Sequence, residues 1–333
     1  MKVVIDSAIP YIRGIIEPYA EVRYMAGAEF TRDAIADADA DALIIRTRTI
    51  VDAKLLENTR VSFVATATIG CDHIDLDYCQ RRGIRVCSAP GCNARGVLQW
   101  VAATLHHLLS KDNATPESYT LGVVGVGNVG SIVAQYARHW GFRVMECDPP
   151  RQEREGGEFY TIEEVAQKCD IITLHTPLDA TTTHLVNGSL IERMPRHSTI
   201  INASRGKVVD NRAVMQSGHR YAFDVWEGEP SLDAEVLARA EIATPHIAGY
   251  SVQGKANATA MCVHALAEFF NLPLKEWYPE GITRTTPRLI SWQELCQTIT
   301  SHYDIASESN KLKSHALEFE ALRNNYAYRE EYF

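Results

Sequence analysis

Leu121-Gly122-Val123-Val124-Gly125-Val126-Gly127-Asn128-Val129-Gly130 is the stretch whose reading decides the fold. Its first four residues read as a short apolar strand, and the glycines follow at once. An amphipathic run from Ser131 to Trp140 predicts a helix, stopped by Gly141. Phe142-Arg143-Val144-Met145-Glu146 reads as a second strand, ending on Cys147-Asp148. Spaced glycines alone are weak evidence, because glycine is common in turns. Set between a strand and a helix, with an acidic residue closing the next strand, they fit a dinucleotide site. Gly125 permits the tight turn, Gly127 lets backbone approach a pyrophosphate, and Gly130 lets the helix pack on the sheet. The helix start offers N–H groups to the phosphates. Asp148 can accept from both ribose hydroxyls and would repel a 2′-phosphate. That favours NAD over NADP, with Arg151 nearby pulling the other way.

The bulk numbers narrow the class. A chain of 333 residues has room for two or three domains, and 46% hydrophobic with 23% charged residues is ordinary for a globular protein. The net charge of −9 argues against nucleic acid or an anionic membrane as the main partner. No apolar run reaches membrane-spanning length, and Met1-Lys2-Val3-Val4-Ile5-Asp6 reads as a first strand. The eight cysteines show no C-x-x-C pair, which fits free thiols in a reducing cytoplasm and no metal site.

Upstream of the glycines, Val3-Val4-Ile5, Leu43-Ile44-Ile45, Val61-Ser62-Phe63-Val64 and Ile84-Arg85-Val86 are short apolar runs with polar or helical segments between. This alternation predicts a parallel sheet covered on both faces, with ligands at the carboxyl ends of strands. Arg46-Thr47-Arg48 follows one such strand, and two guanidiniums around a hydroxyl would suit a phosphorylated acid. Two solvated loop arginines are the competing reading. Ala67-Thr68-Ile69-Gly70 can aim backbone N–H groups at a carboxylate. Asp75 reads as a helix cap, and His73 as a loop histidine with a structural bond. Asn93 is the expected cap of a long helix from Val97 to Ser110, and Cys92 has no base nearby in sequence.

Beyond Asp148 the strands resume, and their ends carry chemistry. Thr199-Ile200-Ile201-Asn202-Ala203 runs into Ser204-Arg205-Gly206, and Asp170 to His175 runs into Thr176-Pro177. Tyr221-Ala222-Phe223-Asp224-Val225 leads to Glu229-Pro230, and Ile242-Ala243-Thr244-Pro245-His246 closes the series. Arg205, Glu229 and His246 suit oxidation of a 2-hydroxy acid. An arginine grips a carboxylate bidentately. A histidine exchanges the hydroxyl proton, and a glutamate beside it stabilises imidazolium and fixes its orientation. Each residue alone would more often be structural. Their order after a dinucleotide fingerprint decides for function.

These stretches resemble the D-isomer-specific 2-hydroxyacid dehydrogenase family. The resemblance rests on Gly125 to Gly130, Asn202 to Asp210, Asp224-Val225-Trp226-Glu227-Gly228-Glu229-Pro230 and Thr244-Pro245-His246-Ile247-Ala248-Gly249. Ala89 to Ala94, Cys147-Asp148-Pro149-Pro150-Arg151 and His246 to Tyr250 resemble a branch acting on a phosphorylated hydroxy acid. It implies an α/β fold of two doubly wound parallel-sheet domains: a Rossmann NAD domain, 95–251, and a flavodoxin-like substrate domain, 1–94 with 252–280. Residues 281–333 would form a small dimerisation segment, making the protein a cytoplasmic homodimer. The resemblance makes Arg205, Glu229 and His246 catalytic. It gives NAD to Gly125, Gly127, Asn128, Val129, Gly130, Asp148, Thr176, Ala203, Asp224 and Gly249. Thr47, Thr68 and Tyr250 would meet the substrate, with Arg46 at its phosphate. Arg329, alone among acidic and aromatic residues, is expected to reach a partner chain's phosphate site. Where the family usually has a glutamate on the long helix, this chain has Gln99. Two alternatives stay open: a sibling acting on phosphoglycerate, glyoxylate or hydroxypyruvate, and an NAD-sensing corepressor-like protein.

Overall fold

The structure, a computed structural model, describes residues 1–333. By its internal contacts the chain forms two compact units, one of Met1–Asn93 with Val252–Arg284 and one of Ala94–Ser251 with Thr285–Phe333.

The first unit is built on a parallel sheet of β1 (Lys2–Asp6), β2 (Glu21–Met25), β3 (Ala42–Ile45), β4 (Phe63–Thr66) and β5 (Arg85–Cys87), in the order β2-β1-β3-β4-β5. Strand side chains alternate between faces, so each apolar run feeds two cores. Val4, Leu43, Ile45 and Val64 pack with Ile35, Leu55 and Leu56 on one face. Val3, Ile5, Ala42, Ile44, Phe63 and Ala65 pack on the other with Ile12, Ile16, Val263 and Leu266. Val263 and Leu266 come from the helix Val252–Phe269, which brings the chain back to this unit. β2 is absent from the apolar runs because it is an edge strand, with Glu21 and Arg23 exposed. Asp75 caps its helix as expected, accepting from the Tyr78 N–H at 2.8 Å. Asn93 does not cap the long helix Ala94–Asp112; its side-chain oxygen is buried without a partner.

The second unit holds β6 (Thr120–Val124), β7 (Arg143–Cys147), β8 (Ile171–Leu174), β9 (Thr199–Asn202), β10 (Arg220–Phe223) and β11 (Ile242–Ala243). Their order is β11-β10-β9-β8-β6-β7 and every pair is parallel. The chain starts at β6, goes outward to β7 and then crosses to β8. The strand order therefore reverses between β6 and β8, where open sheets of this kind bind ligands. Leu121, Val123, Ile171, Ile201 and Ala222 face one core, and Val124, Ile172, Leu174, Ile200 and Phe223 the other. The sequence reading sets residues 281–333 apart. Here Ile290, Leu295, Ile299, Tyr303 and Phe333 belong to the first of those cores, and Leu312 and Phe319 to the second. Phe333, the last residue, is 0% exposed between Tyr136 and Trp140. Burying such a side chain contributes about 1.5–3 kcal/mol.

Candidate active site

The glycine loop leaves β6 at its carboxyl end. Gly125 has φ +83°, and a Cβ there would sit 2.8 Å from the His175 carbonyl carbon. A Cβ on Gly130 would collide with the Gly125 carbonyl, so helix and loop are in backbone contact. Gly127 differs: nothing lies within 4 Å of where its Cβ would be. The protein does not need that glycine for its own packing, and a phosphate does. The 13-residue helix Asn128–Trp140 begins at this opening. Asp148, at the end of β7, braces the loop: Oδ2 accepts from the Val126 N–H at 2.7 Å and Oδ1 from the Arg151 N–H at 2.9 Å. Arg151 donates to the Val126 carbonyl and pairs with Glu155, both at 2.8 Å. Thr176 follows β8, and its hydroxyl is buried with no protein partner. An unpaired buried hydroxyl costs about 1–3 kcal/mol, which a ligand at that point removes. Open space at Gly127 and an orphan hydroxyl at Thr176 both fit a bound dinucleotide.

Arg205, Glu229 and His246 follow β9, β10 and β11, adjacent strands of the same sheet. Asn202 shapes the first turn: its Oδ1 accepts from the Ser204 N–H at 3.0 Å and hydroxyl at 2.8 Å, and its Nδ2 donates to the Arg205 carbonyl at 2.9 Å. Gly206 must be glycine, because a Cβ there would overlap the Trp226 carbonyl. That contact ties the Arg205 turn to the loop carrying Glu229. Glu229 Oε1 accepts from the Trp226 N–H, and Oε2 meets His246 Nδ1, both at 2.8 Å. Burial pushes the Glu229 carboxyl up, but the His246 charge, the His246 hydrogen bond and the Trp226 N–H together leave it below the usual range. With Nδ1 held by the carboxylate, His246 Nε2 is the nitrogen left for proton exchange with a substrate.

His246 stands in the left-handed region, φ +59°, where a non-glycine residue is strained. Asp224 holds it there. This residue, expected at the cofactor, is 1% exposed and turned under the loop. Its Oδ1 accepts from the Ile247 N–H at 2.7 Å and the Thr244 hydroxyl at 2.6 Å, and its Oδ2 from the Ala248 N–H at 2.9 Å. Its backbone carbonyl takes the His246 N–H at 2.8 Å. Trp100 Nε1 donates to Thr244 Oγ1 at 2.9 Å and extends the network to the long helix. Burial raises the Asp224 pKa, against the pull of His246 and these donors.

The tail closes on the same loop. Arg329 is 7% exposed and does not stand out toward a partner. Its Nη1 donates to the Ile247 carbonyl at 3.1 Å and the Tyr250 carbonyl at 3.2 Å, and its Nη2 to the Gly96 carbonyl at 2.7 Å and to the Ala248 carbonyl. Its guanidinium lies 4.3 Å over the Tyr303 ring. The expected phosphate contact is corrected: Arg329 is spent on carbonyls of its own chain, and its sequence neighbours gave no sign of it. The tail arginine beside the site is Arg323, whose Nε donates to the Tyr250 hydroxyl at 3.2 Å. Sequence spacing offered no signal for it, because the contact spans 73 residues. Arg46, Thr47 and Thr68 lie in the first unit. There Arg46 is half-buried, Thr47 is exposed, and the Thr68 hydroxyl contacts Thr66 Oγ1 at 2.6 Å and donates to the Gly70 carbonyl at 3.1 Å.

A histidine backed by a carboxylate, on the same strand ends as an arginine and a dinucleotide cradle, can take a proton from an alcohol whose carbon gives up hydride. The class is a nicotinamide-dependent oxidoreductase. Residues 99–248 match the D-isomer specific 2-hydroxyacid dehydrogenase NAD binding domain. The chain is 43% identical over 344 residues to an erythronate-4-phosphate dehydrogenase of Bacteroides thetaiotaomicron, covering 99% of this chain and 97% of that protein. It is 42% identical over 278 residues to one of Ectopseudomonas mendocina, covering 82% of this chain and 73% of that protein. Two solved structures share the fold. An NAD+-bound 3-phosphoglycerate dehydrogenase of Entamoeba histolytica gives a TM-score of 0.70 at 24% identity, over 86% of this chain and 99% of that one. A D-lactate dehydrogenase of Aquifex aeolicus, in complex with NAD and lactic acid, gives 0.69 at 24%, over 85% and 100%. The chain belongs to the D-isomer specific 2-hydroxyacid dehydrogenase family, and NAD is its cofactor. No helix is long and apolar enough to cross a membrane.

Proposed function

We propose that the protein oxidises 4-phospho-D-erythronate to 2-oxo-3-hydroxy-4-phosphobutanoate with NAD, a step of pyridoxal 5′-phosphate formation. The observation that carries the reading is the 2.8 Å contact of Glu229 with His246 Nδ1. The identity to two erythronate-4-phosphate dehydrogenases supports the choice of substrate. Arg205 takes the carboxylate and fixes C2. His246 Nε2 removes the C2 hydroxyl proton as the C2–H bond breaks, and Glu229 stabilises the imidazolium that results. Bound NAD supplies the hydride acceptor. Asp148 and the loop from Gly125 to Gly130, with Asn128 and Val129 at the helix start, hold the dinucleotide; Thr176, Ala203 and Gly249 line its path. Thr47, Thr68 and Tyr250 serve the substrate, with Arg46 beside its phosphate. The working form is a homodimer in the cytoplasm, and the exposed Leu289 and Leu317 of the tail support a contact there.

The test is a panel of 4-phosphoerythronate, 3-phosphoglycerate, glycerate, glyoxylate and hydroxypyruvate, followed by NADH absorbance. Turnover of 4-phosphoerythronate with the highest kcat/KM is expected. A higher kcat/KM on another acid would reassign the substrate, and NAD binding without turnover would make the protein a sensor.

A further inference from the structure

Arg323, on the helix Phe319–Asn324, is half-buried and makes one hydrogen bond, from Nε to the Tyr250 hydroxyl at 3.2 Å. Its two terminal nitrogens have no partner within the protein. They are not buried without a partner but open to solvent, where an anion can reach them. Tyr250 lies four residues beyond His246, its ring edge-on to Tyr326 and Tyr328 at 6.3 and 6.0 Å. Burial pushes the Arg323 pKa down, and Tyr250, Glu229 and Asp224 together more than reverse it, so the site's acidic groups are close enough to act on it. Glu229 is already committed to His246 and the Trp226 N–H. The fork of Arg323 is thus fixed at its Nε edge and open at its terminal nitrogens, a planar pair suited to two oxygens of one anion.

We propose that Arg323 is a specificity-determining residue: its terminal nitrogens receive the phosphate of the substrate, while Arg205 takes the carboxylate. Within the second unit the two anionic ends are then each met by a guanidinium, one from a strand end and one from the tail. The assignment rests on the proposed reading of the substrate as a phosphorylated 2-hydroxy acid. It also gives the tail a role that Arg329, facing inward, cannot have.

The test compares wild type, Arg323→Gln and Arg323→Lys on 4-phosphoerythronate and on D-erythronate, which lacks the phosphate. A charge-assisted hydrogen bond contributes about 1.5–3 kcal/mol. The ratio of kcat/KM for the phosphorylated over the unphosphorylated acid should therefore fall about 10- to 150-fold in Arg323→Gln. Arg323→Lys, keeping the charge and losing the fork, should recover part of it. A thermal melt with and without NAD shows that each variant is folded, and Arg323→Lys carries the test alone should Arg323→Gln fail to fold. An unchanged ratio, including equal losses on both substrates, would overturn the proposal and leave Arg323 as a prop for Tyr250. Failure of the wild type on 4-phosphoerythronate would instead sink the substrate reading. The same ratio, measured on 3-phosphoglycerate against glycerate, would then still decide the role of Arg323.

Discussion

Asp224→Asn separates two roles for the most buried carboxylate of the site. The structure makes it the brace of the loop carrying His246, accepting from Ile247, Ala248 and Thr244 at 2.7, 2.9 and 2.6 Å. The resemblance to the family makes it a cofactor contact. An asparagine of the same size keeps one oxygen for Ile247 and Thr244, but its NH2 then faces the Ala248 N–H. That N–H loses its acceptor while buried, at about 1–3 kcal/mol. The strained His246 backbone, φ +59°, is the part of the loop with most to gain by relaxing. A loss of that size in holding the productive geometry lowers kcat/KM by about 5- to 150-fold. Steady-state kinetics at saturating NAD, with NAD affinity from fluorescence titration, measures both quantities. The account expects kcat to fall with NAD affinity nearly unchanged. A near wild-type kcat with much weaker NAD binding would refute it and return Asp224 to the cofactor.

Two further outcomes follow from the same geometry. Asp148→Asn keeps the size of the side chain but removes the charge that repels a 2′-phosphate, which is about 1 kcal/mol for charges about 4 Å apart in water. The kcat/KM preference for NAD over NADP should then fall about fivefold or more; an unchanged ratio would mean the carboxylate serves only the Val126 and Arg151 amides. Gln99 is 1% exposed with both amide atoms unpaired. Gln99→Met should therefore raise the urea midpoint at unchanged slope, by up to about 1–3 kcal/mol of stability, and a lower midpoint would show that the amide has a partner in solution.

The placement of the candidate residues at strand ends was legible because it depends on local chemistry. A glycine spacing read between two strands needs no distant partner, and Arg205, Glu229 and His246 announce themselves at successive strand ends. What escaped depends on contacts between residues far apart in sequence. Arg329 was expected at a partner's phosphate because it stands alone among acidic and aromatic residues; apart from the Tyr326 hydroxyl, its partners, the Gly96, Ile247, Ala248 and Tyr250 carbonyls, are 79 or more residues away. Arg323 was hidden for the same reason. Asp224 was legible as a strand-end carboxylate, but its bonds to the Ile247 and Ala248 amides were not, since a strand-end aspartate can face a ligand or turn back under its own loop. The edge strand Glu21–Met25 was missed because an edge needs no continuous apolar run.

The central claim, that His246 and Arg205 act on the C2 hydroxyl of a 2-hydroxy acid while NAD takes the hydride, meets its most direct test in isotope transfer. The wild-type protein is incubated with NAD and 4-phosphoerythronate deuterated at C2, and the reduced nicotinamide is analysed by mass spectrometry. Deuterium on the nicotinamide is predicted, in step with oxo-acid formed, and in His246→Ala the rate should fall by about 10²–10⁴-fold. Reduced nicotinamide without the label, or label transfer in His246→Ala at the wild-type rate, would contradict the account.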